Sequence, residues 1–313
     1  MLGIYTESKT NNPYENLAME EYWLHYTERK GTPILYIWQN EKTVVIGRNQ
    51  NAYTECDMRF ASANNITVVR RITGGGAVYH DLGNINFSII LPKFLYNISR
   101  STKMIVSALN SLGIYGVENG RNDICLGEKK ISGNAYYSNE LVGLHHGTLL
   151  YEVDTELVSK VLSVQKCKLT KRGILSISSR VAGIHSYCPD VSLEDIKNAI
   201  KISFSQEYGV EYDEVSLCKE EYIEKARFFS SDDWVFGKNS EYQVNYTKDF
   251  PCGLVTISLD YNGNMINDFS ITSDSLDIDK VSLARDLLRQ ITLEKINLDE
   301  TVLVNRIFEI FTE

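Results

Sequence analysis

The chain has 313 residues, of which 43% are hydrophobic and 23% charged, as in a globular protein with a sizeable core. Its formal net charge of −9 argues against a nucleic-acid-binding protein, which normally has a basic surface. The six cysteines form neither a C-x-x-C pair nor a disulfide pattern, so we expect free thiols in a reducing compartment. No stretch resembles a signal peptide or a membrane span, and we therefore expect a cytoplasmic protein that does not bind membranes.

The first 230 residues alternate predicted helices with short predicted strands. Residues 14–29 have helical spacing of apolar side chains, and a helix is expected after Pro92 up to about Gly113. Ser192 and Gly209 are typical of the start and the end of a further helix. Apolar runs typical of strands occupy residues 34–38, 43–47, 66–69, 87–90 and 146–153. This mixture predicts an α+β fold with helices packed on a mixed sheet.

The sequence changes character after about residue 231. Residues 231–250 are polar and rich in turn formers, and we predict a linker there. The Asn262–Gly263 pair then joins two predicted strands as a hairpin, and residues 280–291 have helical spacing. We therefore predict a large domain at 1–238 and a small α+β domain at 239–313.

The stretch RRITGGGAVYHDLGN (70–84) contains three consecutive glycines after a predicted strand. Glycine exposes backbone N–H groups that can form an anion-binding nest, although a tight turn is the alternative. The stretch matches neither a P-loop nor the dinucleotide-binding G-x-G-x-x-G pattern. Arg70 and Arg71 favour a carboxylate or phosphate ligand, because paired guanidinium groups suit such anions.

The stretch GRNDICLGEKKISGNAYY (120–137) has a predicted turn at Gly127–Glu128. Lys130 starts the next predicted strand and is suited to place a fixed positive charge in a site; an exposed hairpin lysine is the alternative. Asp123 is suited to face Mg²⁺ or a ribose. Cys125 is the cysteine that lies within a motif, as a nucleophile or as a small buried hydrophobic residue.

The stretch HHGTLL (145–150) holds two adjacent histidines. Neighbours on a strand point to opposite faces, so His145 and His146 do not share a metal, and we expect one of them to line a pocket. A single site built from all three glycine-containing stretches would account for their recurrence.

In this order and spacing, the three stretches resemble the lipoate–protein ligase family. The resemblance extends over nearly the whole chain through NLAMEEYWL, IWQNEKTVVIGRNQNAYTE, KRGILSISSRV, WVFGKNSEYQ and DFPCGLVTISLDYNG. It implies a mixed-sheet catalytic domain of the biotin/lipoate ligase type followed by an α+β accessory domain.

The resemblance also implies an activity. Lipoate and ATP, with Mg²⁺, would give lipoyl-AMP and pyrophosphate, and the lipoyl group would then pass to an acceptor lysine. The implied acceptors are lipoyl domains of 2-oxoacid dehydrogenase complexes or the glycine-cleavage H protein.

The family's site residues carry over position by position. Lys130 matches the lysine that contacts the lipoyl carbonyl and the phosphate. Arg71, preceded by Arg70, matches an arginine at the lipoate and nucleotide site. The remaining matched positions, which line the nucleotide or lipoate site, are Gly75, Gly76, Ala77, Val78, Tyr79, His80, Asn84, Asn122, Asp123 and His146. Asp123 is also a candidate Mg²⁺ ligand. The chain departs from the family at Tyr79, often Phe, and at Gly183, usually Asn.

Three alternative functions stay open from the sequence. An ATP-independent octanoyl or lipoyl transferase of the same fold would use Cys125 as a nucleophile. A biotin ligase would share the adenylation chemistry, and a non-catalytic protein would only bind lipoyl domains or a nucleotide.

One further expectation concerns acceptor docking. The stretch 160–173 carries Lys160, Lys166, Lys168, Lys171 and Arg172 without an acidic residue. We expect it to help dock an acidic acceptor; a solvated face is the alternative.

Overall fold

The computed structural model describes residues 1–120, 122–162, 180–237, 244–262, 265–294 and 300–312. In the described residues before position 215 there are eleven strands, in chain order β1 (Leu2–Glu7), β2 (Ile34–Trp38), β3 (Thr43–Ile46), β4 (Thr67–Arg70), β5 (Val78–His80), β6 (Asn84–Pro92), β7 (Val117–Asn119), β8 (Asp123–Leu126), β9 (Lys129–Ser138), β10 (Val142–Leu150) and β11 (Glu211–Glu214). They are followed by β12 (Val244–Phe250), β13 (Gly253–Asn262) and β14 (Met265–Ser273).

The described helices are α1 (Pro13–Lys30), α2 (Ala52–Glu55), α3 (Met58–Ala63), α4 (Ile98–Ser111), α5 (Thr155–Val161), α6 (Leu193–Tyr208), α7 (Ile223–Phe229), α8 (Asp232–Val235), α9 (Ile278–Leu293) and α10 (Glu300–Glu309). Helix α1 starts because the Asn12 side chain accepts N–H groups of the first turn, and it ends where Gly31 adopts a left-handed conformation. Helix α6 starts with a reciprocal capping box between Ser192 and Asp195, as the sequence predicts.

Eight strands form a mixed sheet in the order β11-β1-β2-β6-β10-β9-β8-β7. The pairs β11–β1 and β1–β2 are parallel, and the other pairs are antiparallel. The small sheet β4-β3-β5 and the C-terminal sheet β12-β13-β14 complete the fold.

Strand β6 at the centre of the large sheet separates core from site. Ile85, Phe87 and Ile89 lie on one face and pack in the core that α4 and α6 cover. Because successive side chains of a strand alternate, Asn84, Asn86 and Ser88 lie on the opposite face, which α1 partly covers. The buried polar side chains of β6 are thereby collected on one face of the strand.

The C-terminal part of the chain forms its own core between the β12-β13-β14 sheet and helices α9 and α10. The end of β14 and the residues directly after it form hydrogen bonds with the rest of the molecule. Ser273 donates its N–H to the Asn49 carbonyl at 2.8 Å, and the Ser275 carbonyl accepts the N–H of Gly75 at 2.9 Å.

The α+β class is confirmed, as are the five predicted strands of the first 230 residues, the two strands of the C-terminal hairpin and the predicted helices. The predicted linker at 231–250 is wrong in part, because α8 and β12 lie within it. Strand β1 and helix α10 were not predicted. Lys160 lies on α5 and pairs with Glu156 at 2.6 Å, whereas Lys166, Lys168, Lys171 and Arg172 lie outside the described residues. Every helix in the described ranges is too short or too polar to cross a bilayer.

Candidate active site

Two adjoining cavities lie on the polar face of the large sheet. The first has a volume of about 120 Å³, with apolar side chains such as Leu17, Trp38 and Val45 in its wall. The second has a volume of about 510 Å³ and is lined by several acidic residues, among them Asp81, Asp123, Glu128, Glu152 and Asp154. Both cavities are lined by Ala77, Val78, Lys130 and Thr148, so these residues lie at the boundary between the two cavities.

Lys130 is held at this boundary by its local backbone. It lies at the start of β9, where its Nζ forms an ion pair with the Oδ1 of Asp123 at 2.8 Å. Its carbonyl accepts the N–H of Ala182 at 3.0 Å. Gly133 leaves room for the side chain, because a Cβ there would lie 2.7 Å from the Lys130 Nζ. The ammonium group therefore occupies space that any other residue at position 133 would take.

The three consecutive glycines have different neighbours. A Cβ on Gly74 would overlap the Ser275 carbonyl, and Gly75 has a φ of +91°, which favours glycine. A Cβ on Gly76, by contrast, would meet nothing within 4 Å, and Gly76 lines the first cavity. Two of the glycines thus permit close approach of the C-terminal segment, and one faces the cavity.

The two arginines direct their donors at backbone carbonyls. Arg70 donates to the carbonyls of Trp234, Val235 and Gln50, among others, and lines neither cavity. Arg71 lines the first cavity, and its Nη2 donates to the carbonyls of Gly74 at 2.6 Å and Gly76 at 2.9 Å. Burial lowers the pKa of each to about 10, which leaves both charged at neutral pH. The sequence predicts that Arg70 and Arg71 bind an anion together. Arg70 differs from this prediction, because it lines neither cavity.

The adjacent histidines lie on opposite faces of β10, as predicted. His146 lines the first cavity, and its Nδ1 lies 2.8 Å from the Glu20 carboxylate. His145 points into the core, between the Ser101 hydroxyl at 2.7 Å and the Asn134 Oδ1 at 2.9 Å. Burial lowers the pKa of His145 to about 3, so it is neutral near pH 7.

His80 presents an unpaired donor to the first cavity. The Asn40 Oδ1 accepts from Asn16, which turns the Asn40 Nδ2 toward the His80 Nδ1 at 3.3 Å. Burial lowers the pKa of His80 to about 3, so the neutral ring carries its proton on Nε2. That Nε2 is buried and has no protein partner among the described residues.

Two asparagines on β6 each have one side-chain atom that is buried and has no partner among the described residues. Asn84 donates its Nδ2 to the Oδ1 of Asn86 at 2.9 Å. This contact leaves the Asn86 Nδ2 without a partner beside the first cavity and the Asn84 Oδ1 without one beside the second. Buried polar groups are normally paired, so we interpret these three atoms as ligand contacts.

Cys125 lines the second cavity but lacks the surroundings of a nucleophile. Its sulfur accepts from the Asn119 amide at 3.7 Å, and burial raises the pKa of the thiol. A thiolate nucleophile needs the opposite shift. Within the described ranges, no group of three His, Cys, Asp or Glu side chains is arranged to hold a metal ion.

The cavities thus gather most of the predicted site residues. The predicted residues that line the first cavity are Arg71, Gly76, Ala77, Val78, His80, Asn122, Lys130 and His146. Those that line the second are Ala77, Val78, Tyr79, Asn84, Asp123 and Lys130. Gly75 and Arg70 line neither cavity: Gly75 bonds to the Ser275 carbonyl, and Arg70 donates to the carbonyls of Gln50 and Val235.

The sequence prediction missed several residues of the site. Gly133 and Asn134 lie within the stretch GRNDICLGEKKISGNAYY, but only the fold shows that a Cβ at position 133 would clash with the Lys130 side chain. Asn86 carried a signal, because a polar residue at every second position of an apolar strand indicates a polar face. Leu17 and Trp38 gave no signal beyond that of core residues. Gly183, where the chain departs from the family, approaches the backbone of Tyr151 so closely that a Cβ would lie 2.5 Å from its carbonyl oxygen.

Comparison with known proteins identifies the family. A family model described as the lipoyl protein ligase A/B catalytic domain matches residues 12–205, and one described as the bacterial lipoate protein ligase C-terminus matches residues 239–313. Lipoate-protein ligase A from Psychrobacter cryohalolentis is 35% identical over 300 residues, which cover 92% of this chain and 88% of that protein.

Solved structures agree. The chain is 26% identical to LipL1 of P. falciparum in complex with lipoate, with a TM-score of 0.80 and full coverage of both chains. A lipoate-protein ligase A bound with ATP has a TM-score of 0.66 at 29% identity, over 76% of this chain and 99% of that one. A bipartite lipoate protein ligase, studied with its E2 lipoyl domain from Thermoplasma acidophilum, has a TM-score of 0.67 at 30% identity, over 78% and 100%. This chain belongs to the lipoate–protein ligase family of enzymes.

Proposed function

We propose that this chain activates lipoate with ATP and transfers the lipoyl group to a lysine of an acceptor protein. The observation that carries the proposal is the position of Lys130, between a small cavity with Leu17, Trp38 and Val45 in its wall, which suits an acyl chain, and a larger adjoining cavity, which has room for a nucleotide. Relatives of the same family have been solved with lipoate and with ATP.

In the first step a lipoate carboxylate oxygen attacks the α-phosphorus of ATP. A P–O bond forms, the bond to pyrophosphate breaks, and negative charge increases on the phosphoryl oxygens. The fixed ammonium group of Lys130 would stabilise that charge, as would the backbone N–H groups around Gly76. The lipoyl-AMP formed in this step carries AMP as a good leaving group for the second step, so no protein nucleophile is required.

In the second step the acceptor amine attacks the acyl carbon. The amide bond forms, the C–O bond to AMP breaks, and the amine releases a proton. Asp123, held against Lys130 at 2.8 Å, is placed to accept that proton, or the solvent accepts it.

Mg²⁺ would neutralise part of the phosphate charge when it is bound. The oxygens at the second cavity that would hold it are the Asp123 carboxylate and the unpaired Asn84 Oδ1, together with the other carboxylates of that wall. Such a set is compatible with Mg²⁺, which often binds through one or two carboxylates plus substrate phosphates.

The remaining sequence-predicted residues take roles from their positions. Ala77, Val78, Tyr79 and Asn84 would contact the nucleotide in the second cavity, and His80 and His146 would line the lipoyl chain. Asn122 would hold the loop before β8, since its amide donates to the Asn134 carbonyl at 2.8 Å.

The acceptor is proposed to be a lipoyl domain of a 2-oxoacid dehydrogenase complex or the glycine-cleavage H protein. A relative studied together with an E2 lipoyl domain supports the first of these. We further propose a catalytic domain at 1–238, an accessory domain at 239–313 and a cytoplasmic location.

The test is lipoate-dependent exchange between ATP and pyrophosphate, with wild type and Lys130→Ala measured side by side. We expect exchange in the wild type and a loss on the order of a hundredfold in the variant, because a fixed charge at the developing oxyanion is removed. Lys129→Ala is the matched control, since Lys129 lines neither cavity. Near wild-type exchange by Lys130→Ala would overturn the assigned role.

The result would also separate the alternatives. A wild type without exchange that transfers acyl groups from a carrier protein, and loses that transfer on Cys125→Ser, would be a transferase. A wild type that only binds lipoate or a nucleotide would be a binding protein.

A further inference from the structure

A chain of buried hydrogen bonds connects helix α1 to the glycine loop. The Glu20 Oε1 lies 2.8 Å from the His146 Nδ1, and the His146 Nε2 lies 2.8 Å from the Thr73 Oγ1. The Arg71 Nε then donates to the same Thr73 oxygen at 3.0 Å. All four residues are at most 6% exposed.

The chemistry of the two end groups sets the direction of the outer bonds. A carboxylate only accepts, so the Nδ1 of His146 carries a proton toward Glu20. A guanidinium only donates, so the Thr73 oxygen accepts the N–H of Arg71. The Thr73 hydroxyl keeps its own proton to donate to the Nε2 of His146, 2.8 Å away.

The other contacts of Glu20 agree with this direction. The Ser88 hydroxyl donates to the same Glu20 oxygen at 2.5 Å, and the Trp38 Nε1 donates to Ser88 at 2.9 Å. Glu20 is therefore an acceptor on two sides.

Arg71 connects this chain of hydrogen bonds to the loop that lines the first cavity. Its Nη2 holds the carbonyls of Gly74 and Gly76, and Gly76 lines the first cavity. Glu20 and Thr73 line neither cavity. They therefore act on the ligand through other residues.

We infer that Glu20 and Thr73 are positioning residues, which set the tautomer of His146 and the orientation of Arg71 and thereby hold the glycine loop in its ligand-binding conformation. This inference rests on the proposed function for its kinetic consequences only. A buried carboxylate and a buried guanidinium are each costly to desolvate, and the hydrogen bonds that link them through His146 and Thr73 offset part of that penalty.

The kinetic test compares Thr73→Val, Thr73→Ser and Thr27→Val. Valine keeps the shape of threonine but removes the hydroxyl, so we expect kcat/KM for lipoate in the exchange reaction to fall about 10- to 100-fold. Thr73→Ser restores the hydroxyl and should remain within about threefold of wild type. Thr27, also buried, bonds to the Thr32 carbonyl at the far end of α1, and Thr27→Val controls for the loss of a buried hydroxyl.

A double-mutant cycle tests whether the residues act as one unit. Glu20→Ala and Thr73→Val together should lower kcat/KM to within about threefold of the more damaging single variant. Effects that multiply, or a Thr73→Val enzyme with unchanged kcat/KM, would contradict the inference.

The tautomer can be read without turnover. In protein labelled with 15N-histidine, the His146 signals, assigned through His146→Gln, should show a protonated Nδ1 and an accepting Nε2. Thr73→Val should shift the Nε2 signal, and Thr27→Val should not. A wild type that lacks exchange but shows this tautomer would overturn the proposed function and leave the positioning network intact; the opposite tautomer in an active enzyme would overturn the network alone.

Discussion

The amide of Gly75 donates to the carbonyl of Ser275 at 2.9 Å, so the C-terminal segment is bonded to the loop that also lines the first cavity. The ligand site and the C-terminal part of the chain therefore share one loop. Gly74 is the residue whose side of the loop faces that segment, and Gly76 is the residue whose side faces the cavity.

Alanine substitutions at these two glycines should affect different properties, stability at Gly74 and the exchange activity at Gly76. Gly74→Ala places a Cβ against the Ser275 carbonyl and should lower the free energy of unfolding by about 1–3 kcal/mol, because backbone on both sides must shift. Gly76→Ala meets open space and should leave stability within about 0.5 kcal/mol while weakening lipoate-dependent exchange. Urea unfolding and exchange on both variants check this. Equal destabilisation by both variants would show that our account of the loop is wrong.

A methyl group at position 133 should act through Lys130. In Gly133→Ala the Cβ would lie 2.7 Å from the Lys130 Nζ, and the flexible side chain would move rather than the backbone. We expect a folded protein whose exchange rate falls at least tenfold, because the ammonium group leaves its place. The double variant with Lys130→Ala should be no slower than Lys130→Ala alone. A further loss in the double variant would point to a separate role for Gly133.

Asn86 should matter for ligand binding as well as for stability. Its Nδ2 has no partner among the described residues, so Asn86→Leu removes a free donor from the cavity wall; it also removes the acceptor of the Asn84 Nδ2 and should therefore lower the free energy of unfolding by about 1–3 kcal/mol. The KM for lipoate should rise about tenfold, since the donor is then missing from the cavity wall. Tyr208→Phe is the matched control: its hydroxyl is also buried and unpaired, but it lies in the core away from both cavities. An unchanged KM in Asn86→Leu would remove Asn86 from the site.

Acid should destabilise the protein through its buried histidines. The pKa values of His80 and His145 are lowered by burial to about 3 in the folded protein, against about 6.5 in the unfolded chain. Between these values the unfolded chain binds more protons, so the free energy of unfolding falls as the pH falls from about 6.5 toward 3. Each histidine contributes a slope of up to about 1.4 kcal/mol per pH unit.

Urea unfolding at pH 7 and pH 5 measures this slope. His145→Gln should reduce the difference between the two pH values, although the variant is less stable at pH 7. Identical pH dependence of wild type and His145→Gln would contradict the assignment.

The fold and the chemical character of the site could be predicted because both depend on local patterns. Residues 34–38 were predicted as a strand, and β2 has these bounds, because a fully apolar run suits a strand buried on both faces. Lys130 and His146 were identified because charged or titratable side chains stand out beside glycines. Strand β1 was missed because its pattern is short and its pairing partners, β2 and β11, are remote in sequence.

The contacts that assemble the site could not be predicted in the same way. Nothing local to Gly74 indicates Ser275, which lies 201 positions further along the chain. Arg70 has the same local appearance as Arg71, yet only Arg71 lies at a cavity, because the two side chains leave β4 and the loop after it in different directions. Glu20 reads as one of two adjacent acids on a helix, and its bond to His146 depends on how α1 crosses the sheet.

The alternation along β6 has a consequence for how this enzyme can change over time. Ile85, Phe87 and Ile89 build the core while Asn84, Asn86 and Ser88 build the floor of the site, so a single-residue deletion in this strand would turn the floor inward and the core outward at once. Point substitutions on one face of β6 can therefore change substrate preference during evolution, whereas insertions and deletions are confined to the loops that follow the strand.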